Sequence, residues 1–325
     1  MIPKRLLPGD EIRVIAPSRS MAIVKGEQVE IAIGRLNELG FTVSFGKNVN
    51  EHDEFFSTSI EERIVDLHDA FRDPKVKGIL TVLGGYNTNQ LLKNIDFNLI
   101  KENPKVLCGY SDITALSLAI YQKTGLTTYY GPHFSTFGMK AGFDYTLQSF
   151  IEAVTNDAPY EINPSDTWSD DLWFLDQKDR KFINQDEYLV LQEGEAEGKL
   201  MGGNLCTLNL LQGTEFMPSF ENTILFIEDD NETHTMTFDR DLQSLLHLPE
   251  AGSIKGIMIG RFQNDSKVTE AALRKIISSK QELRDIPIIA NVNFGHTQPI
   301  ATIPFGARAI ISARKNETSI RIEQK

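Results

Sequence analysis

The stretch that decides the fold is residues 77–112, KGILTVLGGYNTNQLLKNIDFNLIKENPKVLCGYSD. Its two apolar runs, KGILTVL at 77–83 and KVLCGY at 105–110, have the length and composition of buried strands. The first run is followed by Gly84 and Gly85 and by a short helical pattern, and the second leads directly into a helix-forming segment. Buried strands that alternate with helices predict a parallel sheet.

The same alternation continues on both sides of this stretch. On the N-terminal side, strand patterns at 11–18 and 41–49 are separated by an amphipathic pattern at 26–39. On the C-terminal side, SDITALSLAIYQKTG at 111–125 is a helix pattern, and LTTYYGP at 126–132 is a further strand. We therefore predict an α/β fold in which a parallel sheet carries helices on both faces.

The pattern of the C-terminal half of the chain predicts a separate unit that is richer in strands. Its apolar runs are TILFIEDD (223–230), KGIMIGRF (255–262), IPIIANVNFGH (286–296) and a terminal strand pair around 308–323. Residues 160–195 lack a sustained period and contain both tryptophans, which indicates a linker or a functional loop. We predict one domain at 1–165, a loop at 166–195 and a second domain at 196–325.

Charge and composition exclude several classes of partner. The 325 residues include 33 Lys and Arg against 45 Asp and Glu, a net charge of −12 without a basic run. This argues against binding to nucleic-acid polymers or anionic membranes. Cys108 and Cys206 are too few for a disulfide framework and lack metal-ligand spacing. No signal peptide or membrane span is indicated, so we expect a cytoplasmic protein.

Ser111 stands where a strand run meets a helix pattern, in Gly109-Tyr110-Ser111-Asp112. That junction resembles the nucleophile elbow G-x-S-x-G, although Ile113 replaces the last glycine. From the pattern alone, an N-cap is the simpler interpretation of a serine there. Gly84 and Gly85 could offer backbone N–H groups to an oxyanion or could simply form a tight turn. No G-x-G-x-x-G is present, so a dinucleotide cofactor is not expected.

A serine nucleophile needs a base and an acid that orients the base. His133 and His296 both follow apolar strands in loops rich in Gly and Pro, and both are candidates. Glu228 ends an apolar strand and is the candidate acid. A competing hypothesis is a divalent-metal site formed by Glu228, Asp229, Asp230 and His234, although no spacing matches HExxH or an EF-hand.

Five segments in this order resemble the LD-carboxypeptidase and microcin C immunity family of serine peptidases. They are LGGYNTNQLL (83–92), GYSDIT (109–114), GKLMGGNL (198–205), LFIEDD (225–230) and NFGHTQPIATIPFG (293–306). The resemblance implies a flavodoxin-like N-terminal domain and a smaller β-rich α/β C-terminal domain. It also implies a homodimer, and we expect the protein to use neither a metal nor another cofactor.

The resemblance further implies a Ser–His–Glu triad. Ser111 would be the nucleophile, His296 rather than His133 the base, and Glu228 the orienting acid. The backbone N–H groups of Gly85 and Asp112 would form the oxyanion hole. The substrate would be small and peptide-like, and a catalytically inactive binding protein that uses the same cleft is the alternative.

Two substrate types occur in this family, and the sequence favours one of them. The loop GGYNTNQLL and the tryptophan-bearing insertion are similar to the immunity branch, which cleaves an aspartyl-adenylate. Murein tetrapeptide is the alternative substrate. By this similarity, Trp173 would stack on the nucleobase, with Trp168 as the alternative, and Asn204 would contact the substrate. Packing between the domains is the other interpretation of Trp173.

Overall fold

The computed structural model describes residues 1–185, 187–315 and 317–324. Two large sheets and one small two-stranded sheet organise these residues. The strands are β1 (Glu11–Ile15), β2 (Thr42–Phe45), β3 (Val76–Thr81), β4 (Val106–Gly109), β5 (Tyr129–Tyr130), β6 (Tyr160–Glu161), β7 (Thr167–Trp168), β8 (Ile183–Asn184), β9 (Leu189–Gln192), β10 (Gly194–Asn204), β11 (Thr223–Glu228), β12 (Gly256–Gly260), β13 (Ile288–Val292), β14 (Ile303–Pro304), β15 (Arg308–Ala313) and β16 (Ser319–Glu323).

The helices mostly connect consecutive strands. They are α1 (Gly26–Glu38), α2 (Ile60–Arg72), α3 (Phe97–Glu102), α4 (Ile113–Thr124), α5 (Asp144–Thr155), α6 (Leu205–Asn209), α7 (Thr235–Leu246) and α8 (Glu270–Ser279). The short helix expected after Gly85 is a 3-10 helix over Thr88–Asn94. In the described part of the chain, no helix has both the length and the apolar character needed to cross a membrane.

The first sheet confirms the predicted α/β fold. Its parallel strands have the order β2-β1-β3-β4-β5, and β14 adds an antiparallel edge beside β5. This is the flavodoxin-like order, in which the strand sequence reverses between β1 and β3. Ligands of such sheets bind at the carboxyl ends of the strands near that reversal. The loop that contains Gly84 and Gly85 leaves β3 at this position.

The second sheet has parallel strands at its centre and antiparallel strands at both edges. Its order is β6-β16-β15-β10-β11-β12-β13-β9, with β10 to β13 parallel. In the register of β10 and β11, Asn204 lies opposite Glu228 at the carboxyl ends of both strands. Two polar side chains are therefore brought to the same edge of this sheet.

Helix α4 lies between the two units and fixes how they meet. Residues 113–120 are all buried, because the helix packs on the first sheet and also contacts α6 and β10. A helix that is apolar on every side is expected in such a place. Thr114 accepts a hydrogen bond through Oγ1 from the backbone N–H of Asn204 at 3.0 Å. The start of α4 is thus tied directly to the end of β10.

The chain passes between the units more often than the sequence predicted. Strand β6 falls within the predicted first domain, yet it pairs with β16 of the second sheet. Strand β9 falls within the predicted loop and pairs with β13, and β14 returns to the first sheet. These segments have only two to four residues, too few to display a period of their own.

Candidate active site

Ser111 occupies a strained turn between β4 and α4. Its φ is 61°, in the left-handed region that residues other than glycine rarely adopt. The N-cap of α4 is Asp112, so Ser111 does not cap the helix. Gly109 permits the tight turn, because a side chain there would collide with the Thr81 hydroxyl. The strain presents the Ser111 side chain at the carboxyl edge of the sheet.

Three of the predicted residues form one hydrogen-bonded chain. The Nε2 atom of His296 lies 2.9 Å from Ser111 Oγ, and its Nδ1 atom lies 2.7 Å from Glu228 Oε2. Ser111 belongs to the first unit, Glu228 ends β11, and His296 follows β13 in the second unit. This is the geometry in which an imidazole can take a proton from a serine hydroxyl while a carboxylate orients the ring.

Glu228 is fully buried and closely supported. Its Oε1 atom accepts hydrogen bonds from the Tyr130 hydroxyl at 2.8 Å and from Asn204 Nδ2 at 3.2 Å. Two glycines leave room for its side chain: a β-carbon at Gly295 would lie 2.7 Å from Oε2, and one at Gly260 would lie 2.7 Å from its Cβ. These contacts hold the carboxylate against His296.

Burial and charge act in opposite directions on His296. Burial disfavours its protonated form, but the negative charge and the hydrogen bond of Glu228 outweigh burial and raise its pKa to about 9. Burial, reinforced by Glu228, raises the pKa of Tyr130 well above its ordinary value, so Tyr130 keeps the proton it donates. The site thus holds an imidazolium firmly once His296 has accepted a proton.

Asp112 ties the glycine loop to the turn that carries Ser111. Its Oδ2 atom accepts from Ser18 Oγ at 2.6 Å, from the backbone N–H groups of Asn87 and Thr88 at 3.0 Å each, and from Thr88 Oγ1 at 2.7 Å. The side chain is 2% exposed. Three of these donors hold the loop after β3 against the start of α4, and the fourth, from Ser18, ties in the loop after β1.

Gly85 and Asp112, whose backbone N–H groups are predicted to form the oxyanion hole, lie in the loop after β3 and in the turn after β4. Within the described residues, neither of them donates to a protein acceptor. Gly84 also lies close by, since a β-carbon there would stand 2.9 Å from Ser111 Oγ. Free N–H groups in this position can stabilise negative charge on a carbonyl oxygen that is attacked by the serine.

A cleft of about 540 Å³ opens in front of these groups. Both units contribute to its walls, and its lining includes Gly85, Tyr110, Ser111, His133, Trp173 and His296. Clefts between domains are preferred sites for small molecules. Ser111 and His296 are therefore accessible to a ligand that enters between the two units.

Comparison with known proteins identifies the family. The description "LD-carboxypeptidase N-terminal domain" matches residues 12–131, and "LD-carboxypeptidase C-terminal domain" matches residues 197–311. The chain belongs to the LD-carboxypeptidase family. It is therefore a serine peptidase.

Several relatives match over nearly the whole chain. A Bacillus subtilis (strain 168) protein named "Putative carboxypeptidase YocD" is 55% identical, with 100% of both chains covered. A second protein of that strain, named "Probable murein peptide carboxypeptidase", is 33% identical over 98% of this chain and 93% of its own. The Escherichia coli microcin C7 self-immunity protein MccF is 31% identical over 97% of this chain and 94% of its own.

Solved structures of relatives share the fold of this LD-carboxypeptidase family member. The MccF-like protein of Bacillus anthracis str. Ames superposes with a TM-score of 0.98 at 54% identity, covering 99% of both chains. MccF in complex with aspartyl sulfamoyl adenosine gives 0.90 at 29% identity and covers 100% of this chain and 99% of MccF. MccF in complex with glutamyl sulfamoyl guanosine gives 0.89 at 29%, covering 99% and 98%.

Of the two tryptophans, the structure brings Trp173 into the cleft. Its side chain is only 9% exposed, lines the cleft and packs edge-to-face on Phe174, with ring centroids 6.1 Å apart. The backbone carbonyl of Phe174 accepts from Gln28 Nε2 at 2.9 Å, which ties this loop to α1. Trp168 lies in β7, outside the cleft lining, with the Arg261 guanidinium 4.8 Å from its ring centroid.

Asn204, expected to contact the substrate, lies behind Glu228 rather than in the cleft. It is 2% exposed, and its Nδ2 atom donates to Glu228 Oε1 and to Asp229 Oδ1 at 3.2 Å each. Its Oδ1 atom caps α6 by accepting from the N–H of Thr207 at 3.1 Å. These contacts use the amide to orient the acid and to start a helix.

The acidic turn after β11 does not assemble a metal site. In the described ranges, no group of three or more His, Cys, Asp or Glu side chains is arranged to hold a metal ion. Glu228 faces His296, and His234 is the N-cap residue of α7.

Two aromatic residues of the site were missed by sequence reasoning. Tyr130 donates to Glu228, and Tyr110 packs 5.3 Å from the ring of His296 and 4.3 Å from that of His133. Both stand at the carboxyl end of a predicted strand, which is where side chains reach the edge of a sheet. Their position at the ends of predicted strands could have identified them as candidate site residues.

Proposed function

We propose that this protein is a serine carboxypeptidase-type hydrolase that cleaves an amide bond in a small peptide-like substrate. The observation that carries the proposal is the continuous chain from Ser111 Oγ through His296 to Glu228, at 2.9 and 2.7 Å. Family membership supports it independently.

In the proposed reaction, Ser111 Oγ attacks the carbonyl carbon while its proton passes to Nε2 of His296. Glu228 stabilises the resulting imidazolium, and the N–H groups of Gly85 and Asp112 receive the oxyanion. As the intermediate collapses, His296 gives the proton to the leaving nitrogen and the C–N bond breaks. Water then attacks the acyl-enzyme, His296 accepts its proton, and that proton returns to Ser111 Oγ as the acid is released.

The preferred substrate in this proposal is a microcin C-type aspartyl-adenylate, whose cleavage would serve detoxification or self-immunity. Support comes from MccF, which is solved with aspartyl sulfamoyl adenosine and with glutamyl sulfamoyl guanosine. Trp173 in the cleft lining adds to it, because stacking of a base on an aromatic ring is worth about 1–3 kcal/mol. Aminoacyl nucleotides of this kind are small ligands, consistent with a cleft of about 540 Å³.

The alternative substrate is murein tetrapeptide, from which the terminal amino acid would be removed. The Bacillus subtilis relative named as a murein peptide carboxypeptidase favours this alternative, since it is 33% identical to the chain. Both substrates would use the same three residues and would differ only in what occupies the Trp173 side of the cleft.

The test is hydrolysis of aspartyl sulfamoyl adenosine and of murein tetrapeptide by the wild-type protein and by Ser111→Ala. We expect wild-type turnover of the adenosine compound to be the faster of the two. The variant should lose turnover, since removal of a triad member costs a factor on the order of 10⁴–10⁶. It should keep its fold and bind the substrate. A Ser111→Ala protein with near-wild-type turnover would refute the mechanism, and faster cleavage of the tetrapeptide would select the alternative.

The cytoplasmic location and the homodimer stay predictions. Light scattering on the purified protein measures the assembly, and a monomeric mass across the working concentration range would contradict the dimer. Fractionation of the producing cells measures the location.

A further inference from the structure

A second histidine, His133, lies on the floor of the cleft and has no part in the proposed triad. It follows β5, is 3% exposed, and belongs to the cleft lining together with Ser111. Its ring packs on Tyr110 with centroids 4.3 Å apart and planes inclined by 32°. The ring is thus held firmly, next to the residue that precedes the nucleophile.

The contact of His133 with Thr81 is linked to which ring nitrogen carries the proton. Nδ1 lies 2.8 Å from Thr81 Oγ1, whereas the other acceptor near that hydroxyl, the carbonyl of Cys108, is 3.4 Å away. The direction of the contact between Thr81 and Nδ1 sets the tautomer: when the Thr81 hydroxyl donates, Nδ1 accepts. The proton of the neutral imidazole is then on Nε2.

Nε2 is buried and has no hydrogen-bond partner among the described residues. A buried donor without a partner costs about 1–3 kcal/mol. At the floor of a ligand cleft, an acceptor atom of the bound ligand would form the missing hydrogen bond and remove this penalty.

Gly84 keeps open the space that separates His133 from Ser111. A β-carbon on Gly84 would lie 2.9 Å from Ser111 Oγ and 3.6 Å from His133 Nε2. Ser111 Oγ and His133 Nε2 therefore both lie close to Gly84, on the same side of its backbone. A substrate whose carbonyl carbon lies at Ser111 would therefore place its neighbouring atoms near His133.

His133 is a donor rather than a second base. Burial, together with the nearby His296, lowers its pKa to about 3. The ring is neutral at physiological pH and offers an N–H group to an oxygen acceptor. The oxyanion already has the N–H groups of Gly85 and Asp112 in the proposed mechanism, so a different oxygen is the partner of His133.

We propose that His133 Nε2–H donates to a side-chain oxygen of the acyl residue, and so selects substrates whose acyl residue carries a carboxylate or carboxamide. This inference rests on the proposed function, because it assumes that the acyl carbonyl lies at Ser111. It extends that function by naming the chemistry of the residue on the acyl side of the scissile bond.

The experiment measures binding without turnover, by calorimetry of Ser111→Ala with aspartyl and alanyl sulfamoyl adenosine. Adding His133→Phe, which keeps a ring but removes the donor, should weaken binding of the aspartyl ligand about tenfold or more, as expected for a hydrogen bond to a charged group. Binding of the alanyl ligand should change less than twofold. Adding His133→Gln instead, which restores an N–H donor, should recover part of the loss.

A second variant guards against misfolding of His133→Phe. Thr81→Val removes the hydroxyl that bonds Nδ1. This variant should also weaken binding of the aspartyl ligand more than binding of the alanyl ligand. Equal weakening of both ligands, no weakening, or no measurable binding of either ligand would overturn the proposal. Wild-type hydrolysis is assayed separately: selective binding without hydrolysis would refute the proposed function and leave the role of His133 supported.

Discussion

Gly84 and Ser111 approach each other so closely that a β-carbon on Gly84 would lie 2.9 Å from both Cβ and Oγ of Ser111. The two residues follow neighbouring parallel strands, β3 and β4, at the same edge of the sheet. The φ of Gly84 is outside the left-handed region, so the backbone there does not itself demand glycine. Proximity to the nucleophile is what requires the missing side chain.

Gly84→Ala should therefore inactivate the protein while leaving its fold intact. The added methyl group would push Ser111 Oγ away from His296, and misplacement by about 1 Å can cost on the order of a hundredfold in rate. The measurement is kcat/KM together with the melting temperature. Gly34→Ala in α1 is the control, because its added methyl group would meet nothing within 4 Å beyond the adjacent residues and backbone of its own helix. The control should keep full activity and gain about 0.5–1 kcal/mol of stability. Unchanged kcat/KM in Gly84→Ala would contradict the argument.

Asp112→Ala should destabilise the protein more than Asp112→Asn does. Alanine leaves without an acceptor the four donors that converge on Oδ2, whereas asparagine keeps an oxygen and loses only the charge. Hydrogen bonds to a charged group contribute about 1.5–3 kcal/mol, so the alanine variant should lose roughly 3 kcal/mol of unfolding free energy. Urea denaturation measures both variants. Equal stabilities would mean that the carboxylate does not hold the loop.

The sequence indicated the parts of the site that depend on local pattern. The positions of Ser111 at a strand-to-helix junction and of Glu228 at the end of an apolar strand follow from hydrophobic periodicity and from the residues that end strands and helices. The predicted α/β fold is confirmed. The position of Asn204 could not be predicted in this way, because it depends on the register in which β10 pairs with β11. The edge strands β6 and β9 were missed because pairing with a distant strand, not their own composition, makes them strands.

The activity should rise with pH over the range in which His296 loses its proton. A base must be neutral to accept the serine proton, and the carboxylate of Glu228 raises the pKa of His296 to about 9 against the opposing effect of burial. The kcat/KM profile should therefore increase up to about pH 9. In Glu228→Gln the rising limb should move to lower pH, and the maximal rate should fall by a factor on the order of 10⁴. A limb in the same position in both proteins would contradict this assignment.

The same proton links stability to pH. The pKa of His296 in the folded state is above its ordinary value of 6.5, so the folded protein binds this proton more tightly than the unfolded chain does. Its contribution is fully present below about pH 6.5 and is lost as the pH rises through about 9. Unfolding free energies of wild type and Glu228→Gln across this range measure it, and the wild type should lose more stability on going from pH 6 to pH 10.

Replacement by alanine should change catalysis at Trp173 and stability at Trp168. Trp173 lines the cleft, so Trp173→Ala should remove about 1–3 kcal/mol of stacking on the base. This loss corresponds to a roughly 5- to 150-fold decrease in kcat/KM for aspartyl sulfamoyl adenosine. The decrease in kcat/KM for murein tetrapeptide should be smaller. Trp168 covers Arg261, a residue that is 5% exposed and whose guanidinium carbon lies 4.8 Å from the indole centroid. Trp168→Ala should therefore lower the melting temperature and leave the ratio of the two kcat/KM values unchanged.

The ratio of the two kcat/KM values distinguishes stacking from packing, because a loss of packing alone would slow both substrates equally. If Trp173→Ala lowers both rates by the same factor and also lowers the melting temperature, the indole packs between the domains and does not stack on a base. If Trp168→Ala changes the ratio instead, the substrate reaches past the cleft lining to β7. The two variants differ by one indole each, so each serves as the matched control for the other.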